Sequence, residues 1–228
     1  MPDFDFAAWV RRATGFVEAR RDRPGFVVEE EPAAGPLSAR EIDALARRLE
    51  RTLPSSLRGF LEHGAAALAS HYRFEYDPDI ESETELFLAV FPDQTSLYGG
   101  PSFGPAWELP DYARSCREWA QQFDEVGDPA SAKVWGGALP IIAVANGDYL
   151  ALDYPSDDLG ASSDPPVVYL SHDDESVQLT TSFTSFLTVW EQLCYVGPEI
   201  WMLDSFRGPD GLLRADTSAA AQLRRLLE

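Results

Sequence analysis

The stretch LPIIAVANGDYLALDY, residues 139–154, decides the fold class. Two runs of strand length, Leu139–Ala145 and Tyr149–Asp153, flank the dipeptide Asn146-Gly147. That dipeptide predicts a type I′ hairpin turn, whose two central residues both need positive φ. A tight hairpin joins only antiparallel strands, so the sheet is expected to be mainly antiparallel. Downstream, VVYL (167–170) reads as another strand, reached through the acidic loop SDDLGASSDPP, and Thr180-Thr181 closes a further one. Upstream, LFLAVF (86–91) is a continuous apolar run ending at Pro92, and it too predicts a strand. The following QTSLYGGPSFGPAWELP is rich in Gly and Pro and reads as an ordered loop.

Helical patterns surround these strands. Residues 3–22 form an amphipathic helix with Phe6, Trp9, Val10 and Phe16 as packing residues, and EEEPAAGP (29–36) reads as an exposed linker. Ser38 and Glu41 make a capping box, followed by Ile42, Leu45 and Leu49 at helical spacing. Leu53-Pro54 ends that helix, and Ser55 is placed to cap a short one carrying Leu57, Phe60 and Leu61 up to His63-Gly64. Asp111 starts a helix with Tyr112, Cys116, Trp119 and Phe123 on one face. Ser182 caps another, along which Phe183, Phe186, Leu187, Trp190, Leu193 and Cys194 recur at helical spacing, and Thr217–Leu227 forms the last. The order predicts an α+β fold with flanking helices, divided as an N-terminal helical extension (1–35), a core domain (36–196) and a C-terminal extension (197–228) packing on it.

At 45% hydrophobic residues, the chain has ample material for a packed core. The amino terminus lacks the pattern of a secretory signal, no apolar run is long enough to span a membrane, and a cytoplasmic protein is expected. Cys116 and Cys194 are expected to be buried free thiols in a reducing compartment. The formal net charge is −20, and it is unevenly placed. Residues 1–60 hold ten basic and ten acidic side chains and residues 201–228 four of each, whereas 61–200 hold twenty-four acids against four bases. Such a field repels nucleic acid and anionic membranes and favours encounter with a basic protein.

The sequence offers little catalytic chemistry. P-loop, dinucleotide-binding and nucleophile-elbow motifs are all absent. No Cys or His pair has zinc spacing, so neither metal nor cofactor is expected. Asp148 and Asp153 are a conceivable carboxylate pair for glycoside hydrolysis, and His172 lies in Ser171-His172-Asp173-Asp174-Glu175. Asp148 reads instead as a turn residue, and the His172 segment as a solvated turn between strands. An enzyme is not expected.

The run PLSAREIDALARRLERTLPSSLRGFLEHG (36–64) resembles the opening of SUKH superfamily proteins: Glu41-Ile42, Leu49-Glu50, Leu53-Pro54, Phe60-Leu61 and Gly64 follow its pattern. LPIIAVANGDYLALDY is similar to the family's central hairpin, and VVYLSHDDES followed by TSFTSFLTVWEQL to its closing segment. Ala65 and Ala145 stand where the family commonly has glycine. This superfamily includes yeast cell-wall assembly regulators and many bacterial immunity proteins. The resemblance implies an α+β fold, no catalytic residues and function by protein binding, with neutralisation of a toxin, often a nuclease, as the bacterial role. A regulatory or scaffold protein binding a cellular partner is the alternative, as monomer or dimer. The acidic middle suggests a basic toxin domain as partner, and Asp77, Asp79, Glu81, Glu83, Glu85, Asp157, Asp158, Asp173, Asp174 and Glu175 are the candidate contacts.

Overall fold

A computed structural model describes residues 4–30, 33–154 and 164–228. In chain order the elements are α1 (Phe6–Glu18), β1 (Phe26–Glu30), α2 (Ala39–Leu49), α3 (Ser55–His63), β2 (Leu68–Glu75), α4 (Glu81–Val90), β3 (Ser96–Gly99) and β4 (Ser102–Phe103). Then come α5 (Leu109–Glu125), α6 (Pro129–Gly137), β5 (Ala138–Ala143), β6 (Tyr149–Asp153), β7 (Val167–Leu170), β8 (Val177–Thr180), α7 (Phe183–Gln192), α8 (Ile200–Leu203) and α9 (Ser218–Leu227). The strands form two four-stranded sheets, β1-β2-β3 with β4 also on β2, and β5-β6-β7-β8. Every described strand pair is antiparallel. The α+β expectation holds.

Where local chemistry dominates, the elements fall where the pattern puts them. Both halves of the capping box form: the Glu41 amide donates to Ser38 Oγ at 3.4 Å and the Ser38 amide to Glu41 Oε2 at 2.8 Å. Ile42, Leu45 and Leu49 are then buried along one face of α2. Ser182 caps α7 by accepting from the Ser185 amide at 3.1 Å.

Several expectations are corrected. The run 86–91 is helical: Glu81 and Glu83 sit in the first turn of α4, where carboxylates favour a helix N-terminus. Phe87 and Val90 are buried one turn apart, while Leu88 and Ala89 face outward. Part of the supposed linker at 29–36 is strand, because β1 pairs with β2 from Phe26↔Phe74 to Glu30↔Ser70. The stretch read as a loop after Pro92 contains β3, whose Leu97 pairs with Phe74, and β4. Helix α6 was not anticipated; Asp128 caps it, and Trp135 is its buried anchor. Ser55 lies inside α3 and makes no cap. Asp111 sits in the first turn of α5 after Pro110 and pairs with Arg114. The helix at 183 ends at Gln192, and Cys194 follows in a left-handed conformation with φ 55°.

The main core gathers residues from the whole chain. Trp9 on α1 is fully buried, and its indole N–H donates to the Leu187 carbonyl at 3.0 Å. Its ring meets Phe60, Phe103, Trp190 and Tyr195. At the other end, Leu223, Leu226 and Leu227 of α9 are buried, and α9 packs on α4. Arg20 and Arg23 donate to the Leu227 and Leu226 carbonyls at 2.7 and 2.6 Å, placing two cations where the last carbonyls of α9 are unsatisfied. Cys116 and Cys194 are buried free thiols. Burial pushes them up to about 12 and about 11, which removes thiolate reactivity at neutral pH.

Candidate functional site

Three features lie outside ordinary packing: exposed carboxylates, a buried carboxylate–histidine node, and a groove between the sheets. The first acidic segment spans the β2–α4 loop and the start of α4. Asp77, Asp79, Glu81 and Glu85 are exposed, and Asp77 Oδ1 accepts from the Asp79 amide at 2.9 Å in a tight turn. Glu83 differs from them. It is half-buried, accepts from the Asp77 amide at 3.2 Å and lies 3.7 Å from Arg23, so it orders the segment from within. The second segment, Asp173–Glu175, is exposed in the β7–β8 turn, fixed by the Asp174 amide donating to Ser171 Oγ at 3.1 Å. Asp157 and Asp158 lie outside the described residues. Glu81, Glu85, Asp174 and Glu175 have no cationic partner among the described residues.

The buried node sits where the two hairpins of the second sheet meet. The Asn-Gly turn is not type I′: only Gly147 has positive φ, at 97°. The Gly147 amide donates to the Val144 carbonyl at 3.0 Å and the Val144 amide to the Asp148 carbonyl at 2.9 Å, closing a three-residue loop of Ala145, Asn146 and Gly147. Asn146 makes this longer loop possible, since its Oδ1 accepts from the Asp148 amide at 3.1 Å. The Asp148 side chain then turns inward and is 2% exposed. It accepts from Tyr169 Oη at 2.7 Å, Asn146 Nδ2 at 2.7 Å and the His172 amide at 3.0 Å, and it meets His172 Nδ1 at 2.6 Å. Burial would raise this carboxyl, but the hydrogen bonds outweigh it and hold Asp148 below the usual carboxylate range. The same burial and the Asp148 contact push the Tyr169 phenol up.

His172 is therefore no solvated turn residue. It is half-buried, its ring 5.2 Å from that of Trp119, because Asp148 gathers the β7–β8 turn against the β5–β6 turn. The node has the acid–histidine half of a catalytic triad but, among the described residues, no nucleophile on the far side. His172 Nε2 faces Asp173 Oδ2 at 3.1 Å, and Ser171 Oγ is occupied by the Asp174 amide. Nor can Asp148 and Asp153 act as a glycosidase pair. They bracket β6, so roughly 16 Å of strand separates them, beyond the spacing either glycosidase geometry uses.

The groove lies beside this turn. A cavity of about 300 Å³ is bounded by Glu29 and His71 of the first sheet, Tyr98, Ala143 and Ala145 near the hairpin, and Gly197–Glu199. It adjoins a second of about 560 Å³ that shares His71, Ser102 and Ala143 and runs to Trp107. Tyr98 and Trp107 are 43% and 52% exposed, the kind of aromatic surface enriched at protein interfaces. Sequence reasoning missed these residues, because they come from a Gly- and Pro-rich stretch that reads as an ordered loop rather than as strand and interface.

The elements from α2 to most of α7 carry the order of motifs noted above, and the profile of the SMI1 / KNR4 family (SUKH-1) matches residues 36–189. The chain belongs to the SMI1/KNR4 (SUKH-1) family. Within it, the matched region carries both acidic segments, the Asp148–His172 node, and all of the groove but Glu29, Ala33, Ala34 and Gly197–Glu199. A search of curated proteins returns no match. No helix among the described residues is long and apolar enough to cross a membrane.

Proposed function

We propose that this chain is a non-catalytic protein-binding module of the cytoplasm that neutralises a basic toxin domain, with a nuclease as the first candidate. The observation that carries the proposal is the charge placement: twenty-four acids against four bases between residues 61 and 200. Glu81 and Glu85 on α4, and Asp174 and Glu175 in the β7–β8 turn, stand at the surface with no cationic partner among the described residues. A nuclease presents basic surface to its own substrate, and an acidic protein competes for that surface. Family membership supports binding as the mode of action. Residues 36–196 form the binding domain, with 1–35 and 197–228 packed on it as integral flanks; the burial of Trp9 and the contact of α9 with α4 support that division.

The test is co-expression with the product of the adjacent upstream gene, followed by pull-down at low and high salt. Growth rescue and a tight complex weakened by salt are expected, with a Glu81→Lys/Glu85→Lys double variant losing at least tenfold in affinity. Neither rescue nor complex leaves the regulatory role on the same fold as the better reading.

A further inference from the structure

The segment leading into Gly197–Glu199, which line the 300 Å³ cavity, has unusual backbone geometry. Cys194 and Tyr195 are consecutive non-glycine residues at φ 55° and 59°, a conformation that side chains disfavour. Tyr72 Oη holds the Cys194 carbonyl at 2.8 Å, and the Gly100 amide holds that of Tyr195 at 2.8 Å. Gly99 permits this approach, since a Cβ there would stand 2.5 Å from the Tyr72 ring and 2.7 Å from the Tyr195 carbonyl oxygen. The segment so fixed delivers Glu199 to the cavity. Glu199 occupies the N-cap position of α8 without capping it, and its enclosed Oε2 has no hydrogen-bond donor among the described residues. Glu29 adds a second carboxylate to the lining, while Arg73, also in the lining, is answered by Glu75 at 2.9 Å.

We propose that this cavity receives one arginine or lysine side chain of a basic partner protein. Its stem lies along the exposed ring of Tyr98, and its charge meets Glu199. The ring supplies the stacking surface a guanidinium prefers, and the Glu199 and Glu29 carboxylates of the lining supply the charge that draws a cation in. The inference takes its basic partner from the proposed function and adds the point of entry.

The test uses the full chain with L-argininamide as ligand, followed by amide NMR shifts, and repeats the titration on Glu199→Gln, Tyr98→Ala and the α5 control Asp124→Asn/Glu125→Gln. Saturable shifts at Gly99, Ala145 and Gly197 are expected, weakened at least tenfold by Glu199→Gln and several-fold by Tyr98→Ala, and unchanged in the control. Shifts scattered over exposed acids, no saturation, or equal binding by Glu199→Gln overturns the proposal. Urea unfolding of each variant confirms that the comparison is between folded proteins. A partner complex indifferent to Glu199→Gln overturns the cavity and spares the toxin reading. Argininamide bound at the cavity in a protein that forms no toxin complex does the reverse.

Discussion

Replacing Asp148 by asparagine changes one charge and almost no volume, and it tests whether the node is an architectural pin. The wild-type carboxylate is 2% exposed and takes four contacts, from Tyr169, Asn146 and both the amide and ring of His172. A hydrogen bond to a charged acceptor contributes about 1.5–3 kcal/mol, and the contacts are not additive because they share two oxygens. Asparagine keeps one carbonyl acceptor and turns the other position into a donor facing donors. A loss of about 2–3 kcal/mol follows, a large share of the roughly 5–15 kcal/mol that holds a domain together. The pH dependence carries the sign. The folded-state carboxyl lies below its unfolded value, so its contribution is present above the ordinary aspartate range near about 3.9 and is lost as pH falls through the folded value. Urea unfolding of both proteins across pH 7 to 3 should therefore show a wide stability gap at neutral pH that closes on acidification. A variant as stable as wild type at pH 7, or a gap that widens in acid, refutes the account.

Two further substitutions probe the flanks and the backbone. Trp9→Ala, outside the matched region but inside the main core, should cost about 3–5 kcal/mol in denaturant unfolding; a loss under 1 kcal/mol would show that α1 is dispensable. Glu50 is exposed and ends α2 at φ 55°, so Glu50→Gly should stabilise the protein by about 0.5–1 kcal/mol, seen as a higher urea midpoint at unchanged m value. A destabilised variant would mean that the Glu50 side chain makes a contribution its exposure conceals.

What was legible in the sequence was what neighbouring residues settle among themselves. Ser38 and Glu41 are three residues apart and determine the start of α2 between them. The strands at 149–153 and 167–170 are short apolar runs of strand length bounded by turn residues, buried along most or all of their length. Asp148 was legible only by half. Its backbone role in the turn follows from Asn146 two residues away, but its side-chain partners, Tyr169 and His172, arrive from β7 and the turn beyond. The groove was not legible at all, because Glu29, Tyr98 and Glu199 meet only after both sheets have formed.

The same limit reshapes the acidic segment. Read as leading into a strand at 86–91, Glu81, Glu83 and Glu85 form a single undifferentiated set of acids. The apolar run is too short to declare its period, and the partner that selects a helix is α9, more than a hundred residues downstream. On the helix, successive positions turn by about 100°, so Glu83 points about 200° away from Glu81, while Glu85 returns to within about 40° of it. The structure shows the consequence: Glu83 is half-buried against Arg23 and the Asp77 amide, while Glu81 and Glu85 remain exposed on one face. A fold error of one element thus changes which carboxylates can meet a partner. On the proposed function, Glu83 then serves the scaffold, and the Glu81–Glu85 face is where charge reversal should register in affinity without registering in stability.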